Sequence, residues 1–187
     1  MTHFEFLTVA LSFVLGLAVT VLLTSLLTAF RARRNMRGSW LPFAWAAYVL
    51  VLQFDVWWEV YGLSSMQTWS VGAFVLLLLL ALLLFVAGGL VLPTGIGGYP
   101  EDLDEYFQED GRWAIAVVAG FSLTAIIANY ALFDVGILDP MNIWNMIAIA
   151  IAAVVVGAKR RVIQDVATIV YGVWLGIYLW TFVPGTY

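Results

Sequence analysis

Two carboxylates stand four residues apart in an otherwise apolar run, Gln53-Phe54-Asp55-Val56-Trp57-Trp58-Glu59. On a helix this spacing stacks both acids on one face, one turn apart. A carboxylate in apolar surroundings with no cationic partner takes up a proton or holds a cation, because an isolated charge in hydrocarbon is costly. Amide and phenol groups recur further along the chain. Asn129 and Tyr130 lie near the end of one apolar stretch, and Asn142 and Asn145 open the next. Such groups can hydrogen-bond a protonated acid or share the coordination of a hard cation. Asp55, Glu59, Gln53, Asn129, Tyr130 and Asn145 are therefore the candidate ion- or solute-binding residues, and the residue types do not specify a metal. The competing reading is structural. Polar side chains also join helices inside a bilayer, at about 0.6–2 kcal/mol per hydrogen bond, and the two acids could line an oligomer seam. A second pair, Arg161 and Asp165, has the i,i+4 spacing of a structural salt bridge.

Other chemistries are excluded by what the chain lacks. Without cysteine there is no thiolate catalysis, thiolate metal site or disulfide. The only histidine, His3, cannot supply axial ligands for a haem held between helices. The only lysine, Lys159, sits in a basic turn rather than inside an apolar stretch, where a retinal Schiff base needs it. Neither a glycine-rich nucleotide loop nor a G-x-G-D protease signature occurs. No catalytic set, no cofactor and no nucleic-acid partner is expected.

The elements that must position these residues follow from composition. Of the 187 residues, 64% are hydrophobic and only 11% charged, against about 45–50% and about 25% in a soluble domain. A chain this short cannot hide that excess in an aqueous core. The expected fold is an all-α integral membrane protein, a six-transmembrane-helix bundle forming a single polytopic domain. A span takes roughly 20 mostly apolar residues, and the stretches that qualify are residues 4–30, 40–62, 69–92, 113–134, 141–158 and 162–183. Ser39 is placed to cap the second, with Pro42 in its first turn. The first reads as a retained span rather than a leader, being too long and lacking Lys or Arg before it.

With six spans all eight Lys and Arg residues fall on one side, four in the first loop, Arg112, and three in the last turn. The positive-inside rule makes that side cytoplasmic and both termini non-cytoplasmic, in the plasma (inner) membrane. Asp55 would then lie ~10 Å below the outer boundary, at ~1.5 Å per residue from Gly62, far from every Lys and Arg. Three spans on each side of the long loop 94–112 raise the idea of inverted halves, as in many transporters.

That loop opens with Gly95, Gly97, Gly98 and Pro100, then carries six carboxylates between Glu101 and Asp110. Leu103, Tyr106 and Phe107 fall at helical spacing, which predicts a short amphipathic cytoplasmic helix along the interface. Pairing with neighbouring basic loops is one role for its acids, and docking a partner or cation is the other. Most tryptophans mark span ends, as interfacial belts require; Trp45 and Trp174 lie deeper and suit packing or an apolar ligand. Gly172-x-x-x-Gly176 is a close-approach motif, serving an internal contact or an oligomer seam. Beyond the lipid bilayer, a homo-oligomer or a membrane-complex partner is expected. Two functions lead, a small transporter or channel-like protein for a cation or proton-coupled solute and a non-catalytic accessory or scaffold subunit; an enzyme acting on lipid comes third, since it would have to be metal-dependent through carboxylates alone.

Overall fold

A computed structural model describes residues 3–32, 38–65, 69–94 and 102–182, and these are helical apart from short connections. The helices are α1 (His3–Ala32), α2 (Leu41–Gly62), α3 (Val71–Leu90), α4 (Leu103–Tyr106), α5 (Arg112–Phe133), α6 (Pro140–Gly157) and α7 (Arg161–Phe182). Six helices are long and apolar enough to cross a membrane, the fourth of them running as Leu103–Phe133. The basic loop positions Arg33, Arg34 and Arg37, the glycines of 95–98, Glu101 and the residues after Phe182 lie outside the described set, as does the side chain of His3.

Local sequence sets the helix ends. Ser70 caps α3 by accepting from the Ala73 N–H at 3.0 Å, and Asp139 caps α6 by accepting from Met141 at 2.9 Å, with Pro140 in the first helical position where no N–H is needed. The α5 helix ends on Asp134 in the left-handed region, φ 53°, with the Val135 N–H bonded back to the Asn129 carbonyl at 3.1 Å. Ser39, expected to cap α2, accepts instead from the Arg161 guanidinium at 2.7 Å.

The acidic segment also differs from expectation. Rather than a separate interfacial helix in a loop reaching to Arg112, Leu103–Tyr106 continues through one π turn, Phe107–Gly111, directly into α5. Asp102 caps its start. The reason is packing: Leu103 and Phe107 are buried in the bundle, and the bare Gly111 backbone lets the Phe107 ring lie where a Cβ would come within 3.0 Å of it. The Tyr106 hydroxyl donates to the Leu90 carbonyl at 2.9 Å and ties this turn to the end of α3. The amphipathic pattern is real, but its apolar face meets protein.

The long helices close into a ring, α2 against α1, α1 against α3, α3 against α5, α5 against α6, α6 against α7 and α7 back against α2. Small residues permit the approach: Gly88 of α3 sits where a Cβ would be 3.5 Å from Leu22 and 3.6 Å from the Ala18 carbonyl of α1. The two sets of three do not pack alike. The first and third helices of the amino-terminal set, α1 and α3, lie along one another, whereas α5 and α7 make no comparable contact among the described residues. Inverted halves would make those two pairs equivalent, so the three-plus-three count is not matched by the packing.

Outward faces are as apolar as the core. Phe6, Val9 and Phe13 of α1 and Val162, Val166 and Val173 of α7 are all exposed. Apolar outer faces of that extent fit a membrane-spanning bundle.

Candidate functional site: an acidic and aromatic cavity

On α2, Asp55 and Glu59 share a face with Leu52, Val56 and Val60, and that face fronts a cavity of about 110 Å³ inside the ring. Such a volume holds several water molecules. Every long helix contributes to its wall. Leu11 of α1 and Leu77 and Leu80 of α3 supply hydrocarbon, while α5, α6 and α7 supply most of the polar and aromatic groups.

Asp55 is only 8% exposed. Tyr178 of α7 lines the cavity together with Asp55, and Asp55 Oδ1 is buried with no hydrogen-bond partner among the described residues. Glu59, one turn nearer the helix end, lines the same cavity and is exposed, which places it at the mouth. No lysine or arginine among the described residues lines the space.

Asn129 and Asn145 reach the cavity from α5 and α6. The Asn129 amide donates to Asn142 at 3.0 Å, and the Asn145 amide donates back to the Met141 carbonyl of its own helix at 3.1 Å. Each nitrogen thus donates one bond within the protein, and each amide brings a carbonyl oxygen and a second N–H to the cavity lining. Asn142 is fully buried and donates to the Gly136 carbonyl at 2.9 Å, pinning the α5–α6 turn.

Two candidates from the sequence are not brought to this place. Gln53 lies on another face of α2, fully buried, donating to the Leu84 carbonyl at 3.2 Å while its Oε1 has no partner among the described residues. Tyr130 is 58% exposed on the outside of α5. Each is within two positions of a cavity residue, and ~100° of helix rotation per residue carries it to a different face. Arg161 and Asp165 lie at the opposite, basic end, where the Arg161 Nε donates to Asp165 at 3.2 Å. The same guanidinium pairs with Asp104 and bonds Ser39, so one residue joins the starts of α2, α4 and α7. Paired side-chain amides of Gln108 and Gln164, at 2.7 and 3.1 Å, add to that closure.

Of the aromatic wall, residue-type reasoning singled out Trp174 alone, for packing or an apolar ligand, and missed Tyr171 and Tyr178. Tyr171, Trp174 and Tyr178 of α7 all line the cavity. Ring centroids lie 5.2 Å apart for Tyr171–Trp174 and 5.9 Å for Trp174–Tyr178, the latter nearly parallel at 10°. The Trp174 Nε1–H is buried without an acceptor among the described residues. Spacings of three and four were a legible signal for one helix stripe, but not for what it would face. Trp45, by contrast, is fully buried away from the cavity and donates to Thr168 Oγ1 at 3.0 Å, so it packs.

Chemically the site is rich in acceptors, uncompensated in charge and aromatic along one side. No group of three or more His, Cys, Asp or Glu side chains placed to hold a metal ion occurs among the described residues. Comparison with protein-family models, with curated proteins and with solved structures finds no match to this chain.

Proposed function

We propose that this chain is an integral protein of the plasma (inner) membrane, its basic end cytoplasmic, that moves a cation or a proton-coupled solute by way of the Asp55 cavity. The observation that carries the reading is the Asp55 carboxylate, buried in a cavity with an oxygen that no donor among the described residues meets. A fixed anion in apolar surroundings persists only if something from outside, a proton or a cation, balances it. The basic residues are segregated at the other end of the helices, which supports an exchangeable counter-charge over a permanent one. The acidic mouth at Glu59 draws cations toward the same point.

The test is flux into liposomes carrying pH-sensitive and cation-sensitive dyes, with wild type beside Asp55→Asn and Glu59→Gln. Asp55→Asn keeps the shape and removes the charge, and it is expected to abolish flux while the protein still inserts and remains monodisperse. Wild type that moves neither protons nor cations under any gradient removes the transport reading.

A second reading, an accessory subunit or homo-oligomer, is favoured by one observation. Gly176 of the glycine pair is exposed, with nothing within 4 Å of where its Cβ would stand, on a stripe with exposed Val173, Ile177 and Trp180. Small residues on an apolar outer face suit helix association in lipid.

A further inference from the structure

We infer that the ligand of the Asp55 cavity is a small organic ammonium ion, held by the Asp55 carboxylate at its charge and by the Trp174 and Tyr178 rings along its alkyl groups; this rests on the cation reading above and narrows it. Three features of the cavity separate this class from a metal ion. The first is donor number. A hard cation such as Ca²⁺ takes about 6–8 oxygen ligands in a close shell. The cavity offers the acids at Asp55 and Glu59, with Glu59 out at the mouth, and the neutral amides of Asn129 and Asn145, and among the described residues no third acidic, histidine or cysteine side chain joins them.

The second feature is the wall. Leu11, Leu52, Leu77 and Leu80 face the same space as the carboxylate. A hydrated metal ion gains nothing from hydrocarbon, whereas methyl or methylene groups on a nitrogen replace water contacts with apolar ones there. The third is the aromatic pair. Trp174 and Tyr178 lie nearly parallel and line the cavity with Asp55, and a cation over the face of such a ring is attracted by its quadrupole.

Orphaned hydrogen-bonding groups refine the fit. Asp55 Oδ1 is an acceptor without a donor, and Trp174 Nε1 is a donor without an acceptor, both buried and both on cavity-lining residues. A cationic nitrogen sets its positive charge against the Asp55 carboxylate, and a hydroxyl a short chain away supplies an acceptor for the indole N–H. A wholly apolar cation answers one, and a bare metal ion leaves the indole unanswered.

The experiment is titration calorimetry on the full chain in lipid nanodiscs with choline, its uncharged isostere 3,3-dimethylbutan-1-ol, and Na⁺, K⁺, Mg²⁺ and Ca²⁺ as separate probes. Choline is expected to bind wild type at least about tenfold more tightly than the isostere, and Asp55→Asn is expected to erase that preference. Trp174→Leu should weaken choline by about tenfold and Trp174→Phe by less, because phenylalanine keeps a weaker quadrupole. Trp180→Leu, which removes an aromatic ring that is 92% exposed on the same helix, should leave binding unchanged. Variants are compared only when they elute as the wild-type species, and Glu59→Gln supplies a second charge removal should Asp55→Asn not fold. Binding of a metal ion with no binding of choline overturns the ammonium class and leaves the cation reading standing. Equal binding of choline and its isostere also overturns it. Absence of binding by every cation, together with absence of flux, overturns both.

Discussion

Side chains at helix contacts decide how closely this ring can close, and Gly172 is the tightest case. A Cβ there would run into the Tyr48 hydroxyl and stand 2.8 Å from Cζ and 3.1 Å from Cε1 of the same ring. Tyr48 cannot swing away at no cost, because its hydroxyl donates to the Thr168 carbonyl at 3.1 Å and its ring packs on Trp45 and Tyr171. Gly172→Ala is therefore expected to destabilise the protein by about 1–3 kcal/mol, read as a lower melting temperature in detergent. Tyr48→Leu in the same background should recover part of that loss, since coupled neighbours do not add. No recovery would mean that α7 meets α2 through other atoms. Gly172 and Gly176 look equivalent in the sequence, yet the first serves an internal contact and the second faces outward.

At the scale of the element, each helix is short of a partner at its ends, and the α5 terminus shows how this chain answers that need. Asp134 holds φ 53°, a region that costs an L-residue about 1–2 kcal/mol and glycine almost nothing. Asp134→Gly should stabilise by ~0.5 kcal/mol, and Asp134→Val should destabilise by ~1–2 kcal/mol, as β-branching fits the left-handed region worst. Thermal unfolding followed by circular dichroism ranks the three proteins; a valine variant as stable as wild type would contradict the left-handed cap. The turn matters to the site because Asn129, whose carbonyl receives the Val135 N–H, sits on the cavity wall through its side chain. The acidic segment makes a related point. Its helical spacing was legible, but an amphipathic face does not say whether lipid or protein covers it, and Phe107 is fully buried in the bundle.

For the whole molecule, basic charge is sorted lengthwise. Arg31, Arg112, Lys159, Arg160 and Arg161 gather at one end, and Asp55 and Glu59 stand toward the other. The basic end is joined through Arg161, Asp104, Asp165 and Ser39, whereas Glu59 is the exposed acid of the cavity lining. In the proposed orientation the positive-inside rule puts the basic end on the cytoplasmic side. Reporter tags at Gly136 and at the C-terminus are expected to read as external, and one at Lys159 as cytoplasmic. A cytoplasmic reading at Gly136 would invert the orientation and put the cavity mouth on the inside.

Helix number, approximate spans and the lengthwise sorting of basic charge could all be read from the sequence, because each is a local property. Twenty apolar residues satisfy their backbone groups only as a helix in hydrocarbon, and a lysine or arginine marks a span end wherever the bundle places it. The acid pair was legible for the same reason, since four residues is one turn on any helix. Which way each helix turns was not legible. A helix whose outer face meets lipid is nearly as apolar outside as inside, so hydropathy carries almost no directional signal. Only packing could decide that Asn129 faces the cavity while Tyr130 faces out, or that Gln53 leaves the acid face for the α3 contact. The junction of Asp55 with Tyr178 and Trp174, more than a hundred residues away along the chain, depends on α7 closing the ring against α2. That closure rests on contacts such as Trp45 with Thr168 and Gly172 beneath Tyr48, which exist only once both helices are side by side.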